Sequence, residues 1–437
     1  MGGAKEQYAP IDDLIKKEFL PSILGDASRV ITSDERELYA LPCRMGGLGV
    51  GNVGDAAKQQ HTDAIEATSY LTKAILGRTK WSSEKYSNTF TKITSQQKSA
   101  RHDLLEEKKK LLKGGYVAQL PLAQKKACEN AMDKETHYFL TLPPSEAQGT
   151  YLTPEEFHDG ISIRYGRDPV GIPALCTCQH QCPLTLEHAL TCATGGNIIG
   201  RHNMLRDELE HLAATATAGS QWAVEKEVWI TDNLKTDLQI RNLEGDGKVA
   251  QIDVRICHPA APSYQGKTTQ TILSDAEKIK KITYDPSCRR RGHKFIPFII
   301  TTDGALGVEA NVLITKLAAV IATKLKTQKS KTMTWARSRL ATALVRASSA
   351  CIRGSRGFGA RNRGSGVAVE NCREDVRGGE PQPRASRSIP HSQNPPLPPQ
   401  PPPKSRPTPF WEGIPPPGLP RPPFPFPPPP WEGPRSR

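Results

Sequence analysis

Residues 222–259 read WAVEKEVWITDNLKTDLQIRNLEGDGKVAQIDVRICHP. Three stretches in it, Trp222–Thr231, Asp237–Arg241 and Val249–Cys257, alternate apolar and polar side chains. A period of two predicts strands, because successive side chains of extended chain point to opposite faces. The second and third are joined by Glu244-Gly245-Asp246-Gly247, a hairpin turn signal in which glycine supplies positive φ. Working outward, a helix is expected upstream at about 201–215 and another downstream at about 270–284, followed by an apolar strand, Lys294–Thr302. The order α-β-β-β-α-β indicates an α/β or α+β layer, and α+β is the expected class.

The strands carry acidic residues. Glu225 and Glu227 lie on the first, Asp237 starts the second, and Asp253 lies on the third with Arg255 behind it. Asp237 and Asp253 fall near facing ends of the hairpin, which could bring two carboxylates to one divalent ion. A hard cation such as Mg²⁺ takes oxygen ligands and can stabilise charge on a phosphate under in-line attack. The following helix offers Lys278, Lys280, Lys281 and Tyr284, and a lysine there could neutralise developing charge. Solvated carboxylates on a surface hairpin would give the same pattern. His258-Pro259 reads as a strand terminator rather than a catalytic base. No Gly-x-Ser-x-Gly elbow, phosphate-binding loop or His-Glu-x-x-His helix occurs.

Upstream, Cys176, Cys178, Cys182, His188 and Cys192 crowd into seventeen residues. Dense Cys with a His, in a chain whose N-terminus (MGGAKEQYAP) lacks an apolar signal segment, reads as zinc rather than disulfides. His188 and Cys192 are four apart, so one helical turn aims both at one ion. Cys176-x-Cys178 or Cys178-x3-Cys182 would complete a tetrahedral set.

The N-terminal third is predicted helical. Residues 8–24 are amphipathic, Leu38–Gly54 is a Gly-rich loop, and helices are expected at about 56–76 and 84–113. Thr153-Pro154-Glu155-Glu156 starts another, with a Thr cap, Pro in the first turn and Glu closing a capping box; it runs to about Tyr165.

The 437 residues carry 59 Lys+Arg and 45 Asp+Glu, net +14, with 38 Pro and 37% hydrophobic residues. The surplus is local. Residues 324–363 hold eleven Lys/Arg and no acid; residues 381–437 hold 24 of the prolines and net +5; the rest of 1–380 nets −2. Trp335–Ala350 reads as a helix, broken by Gly354, Gly357 and Gly359, and a basic helix with a glycine-rich arm suits phosphate contacts as well as a solvated face. The tail, with Pro401–Pro403, Pro427–Pro430 and two Trp-Glu-Gly repeats, predicts disorder with polyproline II stretches; an SH3- or WW-type partner is its functional reading. The apolar stretch Leu313–Leu325 is broken by Lys316 and Lys324, so a membrane span is not expected.

At this point the residues resemble a family. LYALPCRMGGLGVGNVGDAA (38–57) is similar to the region after the polymerase thumb of non-long-terminal-repeat retrotransposon reading frames. CTCQHQCPLTLEHALTCATGGNIIGRHNMLRD (176–207) resembles the zinc-knuckle and Arg-His-Asn segment of elements carrying a restriction-like endonuclease, and is the most specific block. FHDGISIRYG (157–166) and ACIRGSRG (350–357) look like flanking blocks, so the resemblance spans roughly 8–357.

It implies a PD-(D/E)xK-type nuclease that nicks target DNA so that the 3′-hydroxyl primes reverse transcription. Glu227, Asp237, Asp253, Lys281 and Tyr284 match the family's acidic, Lys and Tyr positions, and His202 matches its His. Thr236 replaces the usual Pro, and Arg255 stands where simpler nucleases place Lys, which shifts the Lys role to Lys281. Cys182 is an extra cysteine; the favoured quartet is Cys176, Cys178, His188 and Cys192. No Tyr/Phe-x-Asp-Asp motif occurs, so polymerase activity is not expected.

The expected organisation is a helical thumb and linker remnant (1–170), zinc knuckle (171–198), nuclease domain (199–325), basic helix and arm (326–380) and disordered Pro-rich tail (381–437). Structural Zn²⁺ and catalytic Mg²⁺ are the expected cofactors. DNA and the element's own RNA are the expected partners, in the nucleus and without a membrane. The alternative is a catalytically inactive nucleic-acid-binding remnant.

Overall fold

The computed structural model describes residues 3–354 apart from 179, 218–223 and 244–246. The Pro-rich tail, the arm beyond Gly354 and most of the predicted turn at 244–247 lie outside the described residues.

The amphipathic N-terminal stretch is helical as α1 (Gly3–Leu14), a π-turn (Ile15–Phe19) and α2 (Leu20–Ile23). In α3 (Ser33–Ala40), Thr32 and Glu35 close a capping box that satisfies two end donors. The Gly-rich segment after it is a packed loop rather than a free one. Leu48 N–H donates to Tyr39 O at 3.0 Å. Arg36 donates to Val50 O and Gly51 O at 2.6 and 2.9 Å. Arg164 donates to Cys43 O and Gly47 O at 2.6 and 3.2 Å. A Cβ on Gly47 would lie 1.9 Å from Leu41 O, so no other residue fits there.

Further along come α4 (Val53–Ala67), α5 (Ser69–Ile75), α6 (Ser83–Leu112), α7 (Leu122–Asp133) and α8 (Pro154–Tyr165). The single helix expected at 56–76 is two, divided at Thr68. The predicted cap of α8 is present: Thr153 Oγ1 accepts from Glu156 N and Glu156 Oε2 from Thr153 N. Leu20, Leu38, Tyr39, Leu41, Ile161 and Tyr165 form the core of this helical region.

The second half contains α9 (Leu186–Thr191), α10 (Asn197–Ala216), β1 (Val224–Thr231), β2 (Leu234–Arg241), β3 (Val249–Cys257), α11 (Thr269–Arg290), β4 (Lys294–Thr301), α12 (Val308–Lys324) and α13 (Lys329–Arg353). From α10 to β4 the order is the α-β-β-β-α-β predicted. The sheet runs β1-β2-β3-β4, antiparallel except for the parallel pair β3/β4, which α11 connects. A parallel pair needs such a crossover. Alternate residues of β3 and β4 face opposite ways. Ile252, Val254, Ile296 and Phe298 pack on Leu205, Leu209 and Leu212 of α10 and on α12. Cys257 and Ile299 pack on Ile272 and Leu273 of α11. The sheet is therefore covered on both faces. The chain is a mixed α+β fold, mostly helical, around one four-stranded sheet.

The basic helix is the main difference from expectation. α13 is longer than Trp335–Ala350, and its face of Ala336, Leu340, Leu344, Ala347 and Cys351 is buried. Spaced at three to four residues, these side chains form a core stripe. Its arginines pair inside the molecule: Arg339 with Glu208 at 2.6 Å, Arg353 with Asp159 at 2.8 Å, and Arg337 with Glu135. The run of like charge in the sequence hid these partners, which lie 130 or more residues away.

α12 likewise packs into the core. Among the described residues no helix is long and apolar enough to cross a membrane. The helical region, the cysteine segment and the sheet all belong to one unit, Met1–Gly378.

Candidate metal centre and carboxylate site

The cysteine segment folds back on itself between Leu175 and Pro183, which form an isolated antiparallel bridge. Cys176 N–H donates to Cys182 O at 2.8 Å, placing Cys176 and Cys178 on one arm. Thr185 then caps α9, its Oγ1 accepting from His188 N at 3.2 Å. His188 lies in the first turn of α9 and Cys192 at its C-cap, so both face the arm as the spacing of four predicts.

The ligand atoms of Cys176, Cys178, His188 and Cys192 all lie within 4.8 Å of one another. Cys178 Sγ is 3.7 Å from His188 Nε2. Tetrahedral zinc with bonds of about 2.0–2.3 Å places its ligands roughly 3.5–3.8 Å apart, so this donor set can hold a metal and is consistent with zinc. Among the described residues it is the one group of three or more such donors brought together. The Cys182 N–H lowers the Cys178 thiol to about 7, against the opposing effect of burial, whereas burial raises Cys182. Since the thiolate is the ligand form, Cys178 is prepared for a metal. Cys182 supplies its backbone but lies outside the quartet, so of the two arms left open by spacing, Cys176-x-Cys178 is the one assembled.

Ile163 of α8 and Cys351 and Ile352 of α13 close the apolar side of this segment, with Leu184, Leu186, Ala189 and Leu190. The centre is thus built into the rest of the unit.

The carboxylates meet at the β2/β3 pair. Leu238 pairs with Ile252, so the register leads Asp237 opposite Asp253. Asp237 Oδ1 is 2.9 Å from His202 Nε2 of α10, and Asp237 Oδ2 accepts from Val254 N at 2.6 Å. Burial would raise the Asp237 carboxyl, yet His202 and the Val254 N–H outweigh it and hold it below the usual range. Burial likewise disfavours a charged His202, and the Asp237 carboxylate outweighs that and raises it.

Asp253 is 5% exposed. Its carboxyl is raised, by burial first and then by the neighbouring Asp237, in spite of Lys280. Lys280 Nζ lies 2.9 Å from Asp253 Oδ2, an ion-pair distance, but that buried oxygen has no hydrogen bond of good angle. Burial first, and then the neighbouring Asp253, raise the Tyr284 hydroxyl, and the Tyr284 ring stacks on Phe295 at 5.0 Å. Lys280 and Tyr284 are four apart on α11, so one helix face presents both to the strand.

Two expected participants sit elsewhere. Lys281 pairs with Glu309 at the start of α12. One residue of helix rotates a side chain by about 100°, which turns Lys281 from the strand and gives its place to Lys280. Glu227 pairs with Arg206 and Lys235 at 2.7 and 2.8 Å, and not with the aspartates. Glu225 bonds Gln239 and Arg241 on the strand edge. Arg255 donates to Tyr264 Oη at 3.3 Å, outside the carboxylate pair. His258 bonds Thr302 at the strand end, as a terminator should.

Sequence reading missed a buried polar ladder beside the aspartates. Thr236 Oγ1 donates to Gln251 Oε1, and Gln251 Nε2 to Gln239 Oε1, both at 2.7 Å. The signal was present: Gln251, Asp253 and Arg255 recur at every second residue of an otherwise apolar strand.

No known protein-family model matches this chain, and no curated protein does.

Proposed function

We propose that this chain is the C-terminal part of a non-long-terminal-repeat retrotransposon protein. In this reading it is a DNA endonuclease of PD-(D/E)xK type that supports target-primed reverse transcription. The observation that carries the reading is Asp237 and Asp253 side by side on β2 and β3, each held by a cationic side chain from a flanking helix.

A divalent cation fits this pair on one count in particular. Asp253 carries a buried oxygen with no well-angled donor, in a carboxyl raised by its surroundings. A cation there would relieve both, with Asp237 and Asp253 as ligands and Mg²⁺ as the ion. Such an ion, when bound, supplies charge neutralisation at the scissile phosphate. His202 orients Asp237, and Val254 N–H fixes its second oxygen. Lys280 is the cation that would meet phosphate charge in place of the expected Lys281, and Tyr284 stands beside Asp253. Glu227, in its own pairs, keeps at most an assisting role. The Cys/His centre would hold structural zinc.

Plasmid nicking with Mg²⁺, with and without chelator, tests this. Asp253→Ala should reduce nicking to background while leaving folding and DNA binding largely intact. If the wild type nicks no faster than that variant, the enzyme reading fails. The second reading, a catalytically silent nucleic-acid-binding remnant, is favoured by the same ion pairs, because Lys280 and His202 already neutralise the aspartates. It predicts salt-sensitive binding without cleavage.

A further inference from the structure

Four aromatic rings form a continuous ladder across the turn from α5 to α6. Ring centroids are 6.0 Å apart for Tyr70–Trp81, 5.5 Å for Trp81–Tyr86 and 5.7 Å for Tyr86–Phe90. These rings do not make a core. Trp81 is 48% exposed and Phe90 37%, and the neighbouring Ile75 and Leu76 are also exposed. The ladder is nonetheless held in place. Tyr70 Oη donates to Lys80 O at 2.9 Å, fixing the loop that carries Trp81. Ser82 caps α6, which carries Tyr86 and Phe90 one turn apart.

The charge around its Tyr70–Trp81 end has one sign, since residues 67–83 hold Lys73, Arg78 and Lys80 and no acid. Residues 67–98 contain Lys73, Arg78, Lys80, Lys85, Lys92 and Lys98 but one acid, Glu84. All six cations are exposed, and none pairs with an acid among the described residues. On α6 the helical period turns Lys85, Lys92 and Glu84 alike about 120–140° from the Tyr86/Phe90 stripe, so the cations beside the rings are Lys73, one turn from Tyr70 on α5, with Arg78 and Lys80 in the loop before Trp81. Exposed aromatics would normally be covered by apolar surface. Here any occupant must also be anionic and present flat apolar faces to rings.

We propose that this ladder is a binding surface for single-stranded nucleic acid, with bases stacking on the exposed rings of Trp81 and Phe90 and phosphates meeting Lys73, Arg78 and Lys80. Rings beside cations are what a strand with unpaired bases requires: each base offers a π-face and each phosphate a charge. The inference is independent of the nuclease reading, since no residue of the carboxylate site takes part.

The test is fluorescence anisotropy of labelled oligothymidylate and oligouridylate on the full chain, without added divalent metal so that cleavage cannot contribute. Trp81→Ala should weaken binding about tenfold, and Trp81→Tyr, which keeps a ring, should stay within about twofold of wild type. Phe90→Ala provides a second loss should Trp81→Ala melt early by circular dichroism. Lys73→Gln with Lys80→Gln should lower the slope of log affinity against log salt by roughly 1.4. Unchanged binding by both Trp81→Ala and Phe90→Ala overturns the proposal. So does sedimentation with phosphatidylserine vesicles by a chain that does not bind the oligonucleotides, which would make the surface a membrane contact.

Discussion

The Lys280/Lys281 pair shows how much one residue of helical phase decides. Both lysines were visible in the sequence, but which one meets Asp253 depends on how α11 lies across β3, and spacing along α11 cannot supply that. Phase relative to Tyr284 would have helped, because Lys280 and Tyr284 share a face. Under the nuclease reading, Lys280→Met should cut nicking by about 10²-fold or more, and Lys281→Met by less than about threefold, measured as initial rates on supercoiled plasmid. Two histidines give a prediction that needs no enzyme. Burial, with nearby arginines, lowers His137 to about 4 and His258 to about 3. Both stay neutral in the folded chain while the unfolded chain takes up protons near pH 6.5. Their contribution is complete above pH 6.5 and is lost as pH falls from there toward 4. His202, shifted upward, loses its own contribution only above that range. Thermal melts should therefore show Tm falling between pH 6.5 and 4.5, and His258→Gln should flatten the slope.

At the scale of elements, the strands were legible and the role of α13 was not. β3 has its predicted bounds because a period-two pattern in one strand is a local signal. α13 was recognised as a helix from its own residues, but its burial depends on partners far away in sequence. Asp159 is the clearest case. It is fully buried and accepts from Ser349 Oγ at 2.7 Å and from Arg353 Nε and Nη2 at 2.8 Å, tying α8 to α13. Asp159→Ala would leave Arg353 and Ser349 without their acceptor and should cost about 3–5 kcal/mol, read from urea unfolding. Replacing Arg346, whose guanidinium reaches the Tyr151 carbonyl and no acid among the described residues, should cost less than about 1.5 kcal/mol. If the two substitutions cost the same, α13 is not anchored as described.

For the whole molecule, the Cys/His centre was the most legible feature, since five donors within seventeen residues left open only which cysteine arm completes the set. Its integration was not legible, because Ile163, Cys351 and Ile352 reach it from other parts of the chain. Metal removal should accordingly be felt beyond the knuckle. Chelation at neutral pH is expected to lower the Tm of the whole unit in one transition, with loss of several kcal/mol, and added Zn²⁺ should restore it. His188→Ala should remove the response to zinc. A separate low-temperature transition, leaving the main one unmoved, would show the knuckle to be an independent piece.

The position of α13 also constrains how the chain is made. Leu205 and Leu209 of α10 share a core with Leu340 and Leu344 of α13, yet the ribosome delivers them more than 130 residues apart. At about 5–20 residues per second, the apolar face of α10 waits roughly 7–30 s for the helix that completes its cover. Throughout that interval the nascent sheet layer offers apolar surface to its surroundings. The apolar face of α10 is therefore expected to need protection until Arg353 emerges, and a chain truncated before Lys329 should aggregate rather than give a smaller working protein.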